Sequence, residues 1–416
     1  METRAWISAR EAAKQLDIKL ATLYAYASRG LIESVPAEGG RARRYARDAV
    51  ERLKARHDAR AGHTAVAAAA LRFGEPTLET SVSEIRADGP YYRGHAALAL
   101  ADGKSSFEAV CDLLWTGKLG STPWRVGALR VALPKYPTDA APIAVLAATV
   151  SCAALLDLER HGASDLQEHV RARRLIHALA LRVGGKPAKG AAHGSTAERL
   201  ALSHGVALSD HALALLDRAL ILCADHELNP STFAARVTAS TGADLYACLG
   251  AGLLTLSGPR HGGYSARIEA FLQQVPTPAA ASRVVREHNA RGEQVPGFGH
   301  PLYPDGDPRG HALLDLAEQA LDDRRRHAAS RKQSAAALAR VRALVQAMRR
   351  AEHPGPNLDL GLVALRQALG LPSGAASSSF ALGRIAGWVA HALEQRGHGY
   401  VLRPRARYVA PPQAAR

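Results

Sequence analysis

The sequence predicts a mainly all-α protein in two unequal parts: a small winged helix-turn-helix unit, then a large helical body. Three observations point there. From Leu78 onward, apolar-periodic segments are separated by Gly and Pro punctuation, as at Gly94, Gly117 to Pro123, Gly184 to Gly194, Pro276 to Pro278 and Pro354 to Pro356. Hydrophobic content is 47% with only 5% aromatics, in a chain rich in Ala, Leu and Arg, which suits packed helices. The first 58 residues carry their own helix starts, stop and basic hairpin tip. A length of 416 residues leaves room for two or three domains.

Taken in order, Ser8-Ala9-Arg10-Glu11 is a capping box, in which Ser8 and Glu11 each satisfy a free N–H at a helix start. The helix runs to about Leu16, with Ala12, Ala13 and Leu16 inward. A turn at Asp17-Ile18-Lys19 leads to a second helix, Leu20 to Arg29, stopped by Gly30. A short strand at Leu31-Ile32, a Gly39-Gly40 hairpin tip with Arg41, Arg43 and Arg44, and a helix from about Arg47 to His57 complete the unit. The segment from Thr22 to Ile32 resembles the recognition-helix region of the MerR and excisionase families. That resemblance implies that Lys19, Thr22 and Tyr24 face a major groove of duplex DNA while Arg43 and Arg44 meet phosphate. A helix-turn-helix used only for packing or dimerisation is the alternative.

Residues 59–75 read as a linker rich in Ala and His, and 76–416 as the body. Beyond short strands around Glu79 to Ile85 and near Tyr408, the body shows no sustained alternation. Its longest apolar run, Ile143 to Leu156, is too short to cross a bilayer and contains Thr149, Ser151 and Cys152, so it reads as a buried core helix. With no hydrophobic signal region at the N-terminus, the expected location is the cytoplasm. Cys111, Cys152, Cys223 and Cys248 have no metal-ligand spacing and read as reduced core thiols. The net charge of +15 is spread along helices, as at Arg324 to Arg326 and Arg349-Arg350. That pattern describes a solvated face, and a basic surface also draws a phosphate-rich partner such as coenzyme A.

Chemistry concentrates in three C-terminal stretches: Gly258-Pro259-Arg260-His261-Gly262-Gly263, Gly297-Phe298-Gly299-His300 and Asn357-Leu358-Asp359. Glycine beside each histidine lets ligand and backbone approach closely. His261 precedes a helix from Tyr264 to Val275, whose positive end disfavours protonation and keeps the ring a neutral donor. Asp359 falls in a first helical turn behind the N-cap Asn357, where the dipole favours the carboxylate. Arg309, Arg384 and Arg403 are candidate carboxylate clamps. A carboxylate base beside neutral donors is what bond formation through an enol requires.

Together with Leu78 to Ile85, Tyr92-Arg93-Gly94, Ser105 to Glu108, Ala224-Asp225-His226-Glu227-Leu228-Asn229, Ser231-Thr232, Gly383 to Trp388 and Arg403-Pro404-Arg405, these stretches resemble the citrate synthase family over residues 79–410. The resemblance implies large and small helical domains, the small one at roughly 260–370. It implies a Claisen condensation of acetyl-CoA with oxaloacetate giving citrate and CoA, a tricarboxylic acid cycle step, with acetyl-CoA as co-substrate and no metal or other cofactor. Asp359 takes the methyl proton, His261 donates to the enol oxygen and His300 polarises the ketone. His226, Arg309 and Arg384 hold oxaloacetate, Arg403 reaches in from the partner of a homodimer, and Val295, Gly297, Phe298 and Gly299 line the CoA site. Members commonly carry Phe-Tyr-Ser-Gly after the base, where this chain has Leu360-Gly361-Leu362, and Pro301 and Pro304 stand at basic and phosphate-binding positions; the acyl donor is therefore open. A 2-methylcitrate synthase, a citryl-CoA lyase, and a DNA-binding regulator using the fold as a metabolite sensor are the alternatives.

Overall fold

The computed structural model describes residues 6–16, 18–28, 32–36, 43–47, 49, 50, 53, 78–120, 124–137, 139–184, 194–323 and 328–404. Asp17, Arg29 to Leu31, the Gly39-Gly40 tip with Arg41, residues 59–75, 121–123, 185–193, Arg324 to Arg326, Arg405 and the strand expected near Tyr408 lie outside them. Two compact units result: one contains the N-terminal segment through Glu79, the other is Thr80–Arg403.

In the small unit the capping box forms. Ser8 donates from its backbone N and its Oγ to the Glu11 carboxylate, both at 2.9 Å, and Glu11 N donates back to Ser8 Oγ at 3.3 Å. The helix Ala9–Leu16 buries Ala12, Ala13 and Leu16, and the helix Leu20–Ser28 buries Leu23. They close over a three-stranded antiparallel sheet ordered Trp6–Ser8, Arg43–Ala46, Ser34–Pro36. Among the described residues the strand after the second helix lies at Ser34–Pro36, and Ile32, expected in a strand, is instead a buried plug, 2% exposed, just ahead of the ladder. The strand Trp6–Ser8 went unread because Ser8 both ends the strand and opens the helix.

The large unit begins with a small antiparallel sheet, Ser83–Arg86, Gly89–Tyr92 and His95–Ala96, of which only the first strand was expected. Helices make up most of the remainder, and the last, Ala375–His398, is buried along most of its length. It packs on the helices Asp210–Cys223, Pro230–Ser240 and Leu245–Leu256. Glycine makes the closest of these contacts possible: a Cβ on Gly383 would sit 2.6 Å from Cys223 Cβ, and one on Gly387 would sit 2.6 Å from the Ala224 carbonyl. The Gly387 N–H instead donates to that carbonyl at 3.0 Å.

The helix expected from Ile143 is present as Pro142–Leu156, but it is not buried throughout. Its N-terminal two-thirds packs Ile143, Leu146 and Val150 into the core, whereas Leu155 and Leu156 are 76% and 58% exposed. The helix expected to reach Val275 spans Tyr264–Leu272, after which the chain turns before Pro276.

Candidate active site

The helices Pro308–Gln319 and Leu358–Leu369 set the site. Each carries a glycine where the pair is closest: a Cβ on Gly310 would meet the Asn357 carbonyl at 2.6 Å, and one on Gly361 would meet Leu313 Cβ at 2.6 Å. Asn357 caps one helix by accepting from Leu360 N, and Asp307 caps the other by accepting from Arg309 N. The loops ahead of both are joined through the histidine loop. Gly299 N donates to Gly355 O, Asn357 N to Gly297 O and Asp307 N to Pro356 O, at 2.9 to 3.0 Å. Positive φ at Gly297 (95°) and Gly299 (78°) bends that loop into register. His300, Arg309 and Asp359, up to sixty residues apart in sequence, thereby share one rigid frame.

Arg309 is 3% exposed, and its Nε and Nη2 donate to the two carboxylate oxygens of Asp307 at 3.0 and 2.7 Å. Its Nη1 is buried with no partner among the described residues. A guanidinium edge left unpaired in a water-poor site is costly unless an anion takes it. Arg384, 1% exposed, donates Nε to Cys223 O at 2.7 Å and lies 5.0 Å over the Phe380 ring. The two cations face three histidines. Burial, reinforced by Arg309 and Arg384, pushes His226 well below the ordinary imidazole range. Burial and then Arg384 bring His261 down to about 4, and burial and then Arg309 lower His300. All three rings are neutral near pH 7. For His261 the principal cause is burial, not the helix end that the sequence suggested.

His226 and His300 meet edge to face at 5.2 Å, and the buried Tyr303 hydroxyl stands 3.0 Å from His226 Nε2. Leu302 N donates to His300 Nδ1 at 3.2 Å, so a neutral His300 carries its proton on Nε2. His261 Nε2 lies 2.8 Å from Ser231 Oγ, which lies 2.7 Å from Asn229 Oδ1. The single Ser231 proton thus decides the tautomer: turned to Asn229 it leaves Ser231 to accept from His261 Nε2–H, and turned to His261 it places the ring proton on Nδ1. Beneath His226, fully buried Asp225 accepts from Ser83 Oγ and from Glu227 N and faces His391 Nε2 at 3.2 Å. Burial alone would raise Asp225, but His391 and its other donors hold it below the ordinary carboxylate range. This fixes the turn in which Glu227 takes a φ of 54°.

Asp359 is partly exposed at this cluster, and Ser265 Oγ donates to its Oδ1 at 2.8 Å. Burial raises its carboxyl to about 6, against the Ser265 hydrogen bond and the two arginines. The N-terminal helix position therefore does not dominate, and Asp359 is ionised only above about 6. Leu360, fully buried, packs its Cβ toward Gly297, so the residue after Asp359 supports the histidine loop. Val295 is buried beside that loop and Phe298 is partly buried. Arg403 is exposed. The sequence reading passed over Tyr303, Ser265, Phe380 and the support given by Asp225 and Ser231, since only spatial partners distinguish such residues from ordinary core or cap positions.

In the small unit Lys19, Tyr24 and Arg44 are exposed and Thr22 is half-buried. Arg43 is exposed but hydrogen-bonded to Ser34 through Nε and Nη2, both at 2.9 Å, which ties its guanidinium to the neighbouring strand.

A family model described as the citrate synthase C-terminal domain matches residues 72–405, and a helix-turn-helix domain model matches residues 6–58. The chain belongs to the citrate synthase family. Among its relatives, a 2-methylcitrate synthase of Shewanella oneidensis is 30% identical over 81% of this chain and 93% of the relative. A citrate synthase of Bacillus subtilis is 28% identical over 81% of this chain and 95% of the relative. The fold of this family member matches citrate synthase from Thermoplasma acidophilum, solved as a ternary complex with carboxymethyl coenzyme A and oxaloacetate. The TM-score is 0.67 at 22% identity, covering 82% of this chain and 96% of that one. Citrate synthase from Thermotoga maritima matches with a TM-score of 0.65 at 25% identity, over 82% and 96% of the two chains. No helix among the described residues is long and apolar enough to cross a membrane.

Proposed function

We propose that the chain condenses an acyl-CoA, acetyl-CoA first, with oxaloacetate by an enol mechanism and hydrolyses the thioester to release citrate and CoA. The observation that carries the reading is the unpaired, buried Nη1 of Arg309 beside Arg384, facing neutral His226 and His300: a cationic, hydrogen-bonding pocket for a small dicarboxylate. Arg309 and Arg384 neutralise the oxaloacetate carboxylates while His226 and His300 address its keto acid end. Asp359 removes a proton from the acyl carbon next to the thioester, and the electron pair moves onto the carbonyl oxygen. His261 donates to that oxygen through Nδ1 once the Ser231 hydroxyl turns toward Nε2. The enol carbon attacks the ketone, and the resulting alkoxide receives a proton from His300 Nε2. Asp359 is then protonated and His300 short of one proton; return of that proton from Asp359 to His300 through solvent restores both groups, and water cleaves the citryl thioester. Positioned general base and neutral donors gain effect as bound substrate displaces water from the cleft. The reading calls for no metal or redox cofactor. The 297–299 loop and Val295 would line the CoA site through their backbone.

The Shewanella relative's name makes propionyl-CoA the alternative donor. Thiol release with oxaloacetate, measured in parallel for acetyl- and propionyl-CoA, decides between them, and oxaloacetate binding without turnover of either would overturn the enzyme reading. Cleavage of citryl-CoA in the reverse assay would identify a lyase.

Two surfaces favour further partners. Exposed Leu155, Leu156, Leu158, Leu166 and Val170, of which Leu156, Leu166 and Val170 line one groove, support a homodimer, with Arg403 completing the partner's site. Exposed Tyr24, Lys19 and Arg44 support duplex DNA binding by the small unit.

A further inference from the structure

The sequence reading gave Ser265 no role, yet its placement is specific. It is 1% exposed in the first turn of the helix Tyr264–Leu272, three residues after His261-Gly262. A serine at a helix start commonly caps its own helix, but here Gly263 occupies the N-cap position with no side-chain cap bond. The Ser265 hydroxyl is spent across the site instead, on Asp359 Oδ1 at 2.8 Å. Among the described residues no hydrogen bond reaches Asp359 Oδ2, and the carboxyl keeps partial access to the cleft. One oxygen is held and the other is presented.

The elements that meet there explain why a carboxylate needs such a hold. Asp359 stands on the frame built by the helices Pro308–Gln319 and Leu358–Leu369, whereas His261 stands at the end of the loop that leads into the Ser265 helix. The gap between base and enol donor is therefore a gap between two elements, and the Ser265 to Asp359 hydrogen bond is the direct polar link across it. Ile268, one turn on from Ser265, packs within 3.4 Å of the Cβ position of Gly297, so apolar contact continues the same link to the histidine loop.

We propose that Ser265 is the positioning residue of the general base, its hydroxyl fixing Asp359 Oδ1 so that Oδ2 is aimed at the carbon acid beside His261. The role rests on the condensation reading given above. A hydrogen bond donated to the charged form also favours that form, so Ser265 both directs the base and lowers the pH from which it works. Tyr264, whose ring lies 5.2 Å from the Arg267 guanidinium, also feels the Asp359 charge, and Arg309, Asp307 and Arg384 act on Asp359 from the other elements packed around it.

The test uses the full chain and the variants Ser265→Ala and Ser265→Thr. In Ser265→Ala, kcat with acetyl-CoA falls about tenfold, KM for oxaloacetate is unchanged, and the acid limb of kcat/KM moves up by about one pH unit, the loss expected for one hydrogen bond to a charged group. Ser265→Thr, which keeps the hydroxyl, restores the limb. An unmoved acid limb in Ser265→Ala, or a rise in oxaloacetate KM in step with the fall in kcat, overturns the positioning role. The carboxyl carbon of Asp359, followed by NMR against pH, reads the same shift without turnover. If the parent chain releases no thiol from either acyl-CoA, the condensation reading fails, while a carboxyl titration that moves up in Ser265→Ala still supports the hold and one that stays put overturns it.

Discussion

Replacing Asp359 by Asn should suppress turnover and stabilise the protein at the same time. Burial raises the Asp359 carboxyl from 3.8 to about 6. Between these values the folded chain binds more protons than the unfolded chain, so stability falls as pH rises through the window, and above it the full penalty is present. The distance from 3.8 to about 6, at ~1.36 kcal/mol per pH unit, corresponds to about 3 kcal/mol. The side chain retains partial access to solvent, and screening there reduces the expected penalty to about 1–2 kcal/mol. Asparagine carries no charge to desolvate and still accepts the Ser265 hydroxyl through Oδ1. The stability gain is therefore expected at about pH 8, smaller at about pH 5, and absent below 3.8. Urea unfolding of parent and variant, followed by tryptophan fluorescence at the two higher pH values, reads it directly. Thiol release should fall by a factor of about 10² to 10⁴, the usual contribution of a general base. A variant less stable than its parent at the higher pH, or stabilised equally at both, would refute the argument that a buried charge is what the base costs the fold.

Other outcomes follow from the same structure. Gly361→Ala places a methyl 2.6 Å from Leu313 Cβ; overpacking of about 1–3 kcal/mol should lower the thermal midpoint and, by shifting Asp359 against Arg309, reduce kcat. Arg309→Ala leaves Asp307, 0% exposed, without its counter-ion, so about 3–5 kcal/mol of destabilisation should accompany loss of oxaloacetate binding in calorimetry. Arg309→Lys should keep more of the fold than of the binding, because an ammonium cannot serve Asp307 and a substrate carboxylate in the same plane. Leu155→Glu, on the exposed end of its helix, should yield a monomer in sedimentation if that face joins two copies. Arg43→Ala with Arg44→Ala should weaken duplex binding and flatten its salt dependence, and equal retention at low salt by both chains would argue for a packing role.

The helices of both units were legible because their signals are local: Asn357 as N-cap of the helix bearing Asp359, the capping box at Ser8, and the glycines around His261 and His300 each act within a few residues. Short strands were less so. Gly89–Tyr92 and His95–Ala96 are too brief for alternation to register, and Ile32 was read as ladder when it is core. The end of the Pro142–Leu156 helix was misjudged for a different reason, since hydrophobicity alone does not say whether a leucine meets its own chain. Long-range polar partners were the least visible. That Asp225 is gripped by Ser83 and His391, or that Ser265 serves Asp359, depends on residues between roughly one hundred and one hundred and seventy positions apart, which no local pattern marks. The pH behaviour of His261 and Asp359 shares that origin, because burial is a property of the folded site.

The cross-links among Gly297, Gly299, Gly355, Pro356 and Asp307 also bear on how this site can change. Three stretches that hold Asp359, His300 and Arg309 exchange backbone hydrogen bonds with one another, so a substitution in any of them alters the platform under the other two. Their effects on activity should be strongly non-additive. Changes there should be tolerated only in matched sets, and His226, which meets His300 edge to face at 5.2 Å and lies 3.0 Å from the Tyr303 hydroxyl, is coupled to the same platform from a facing element.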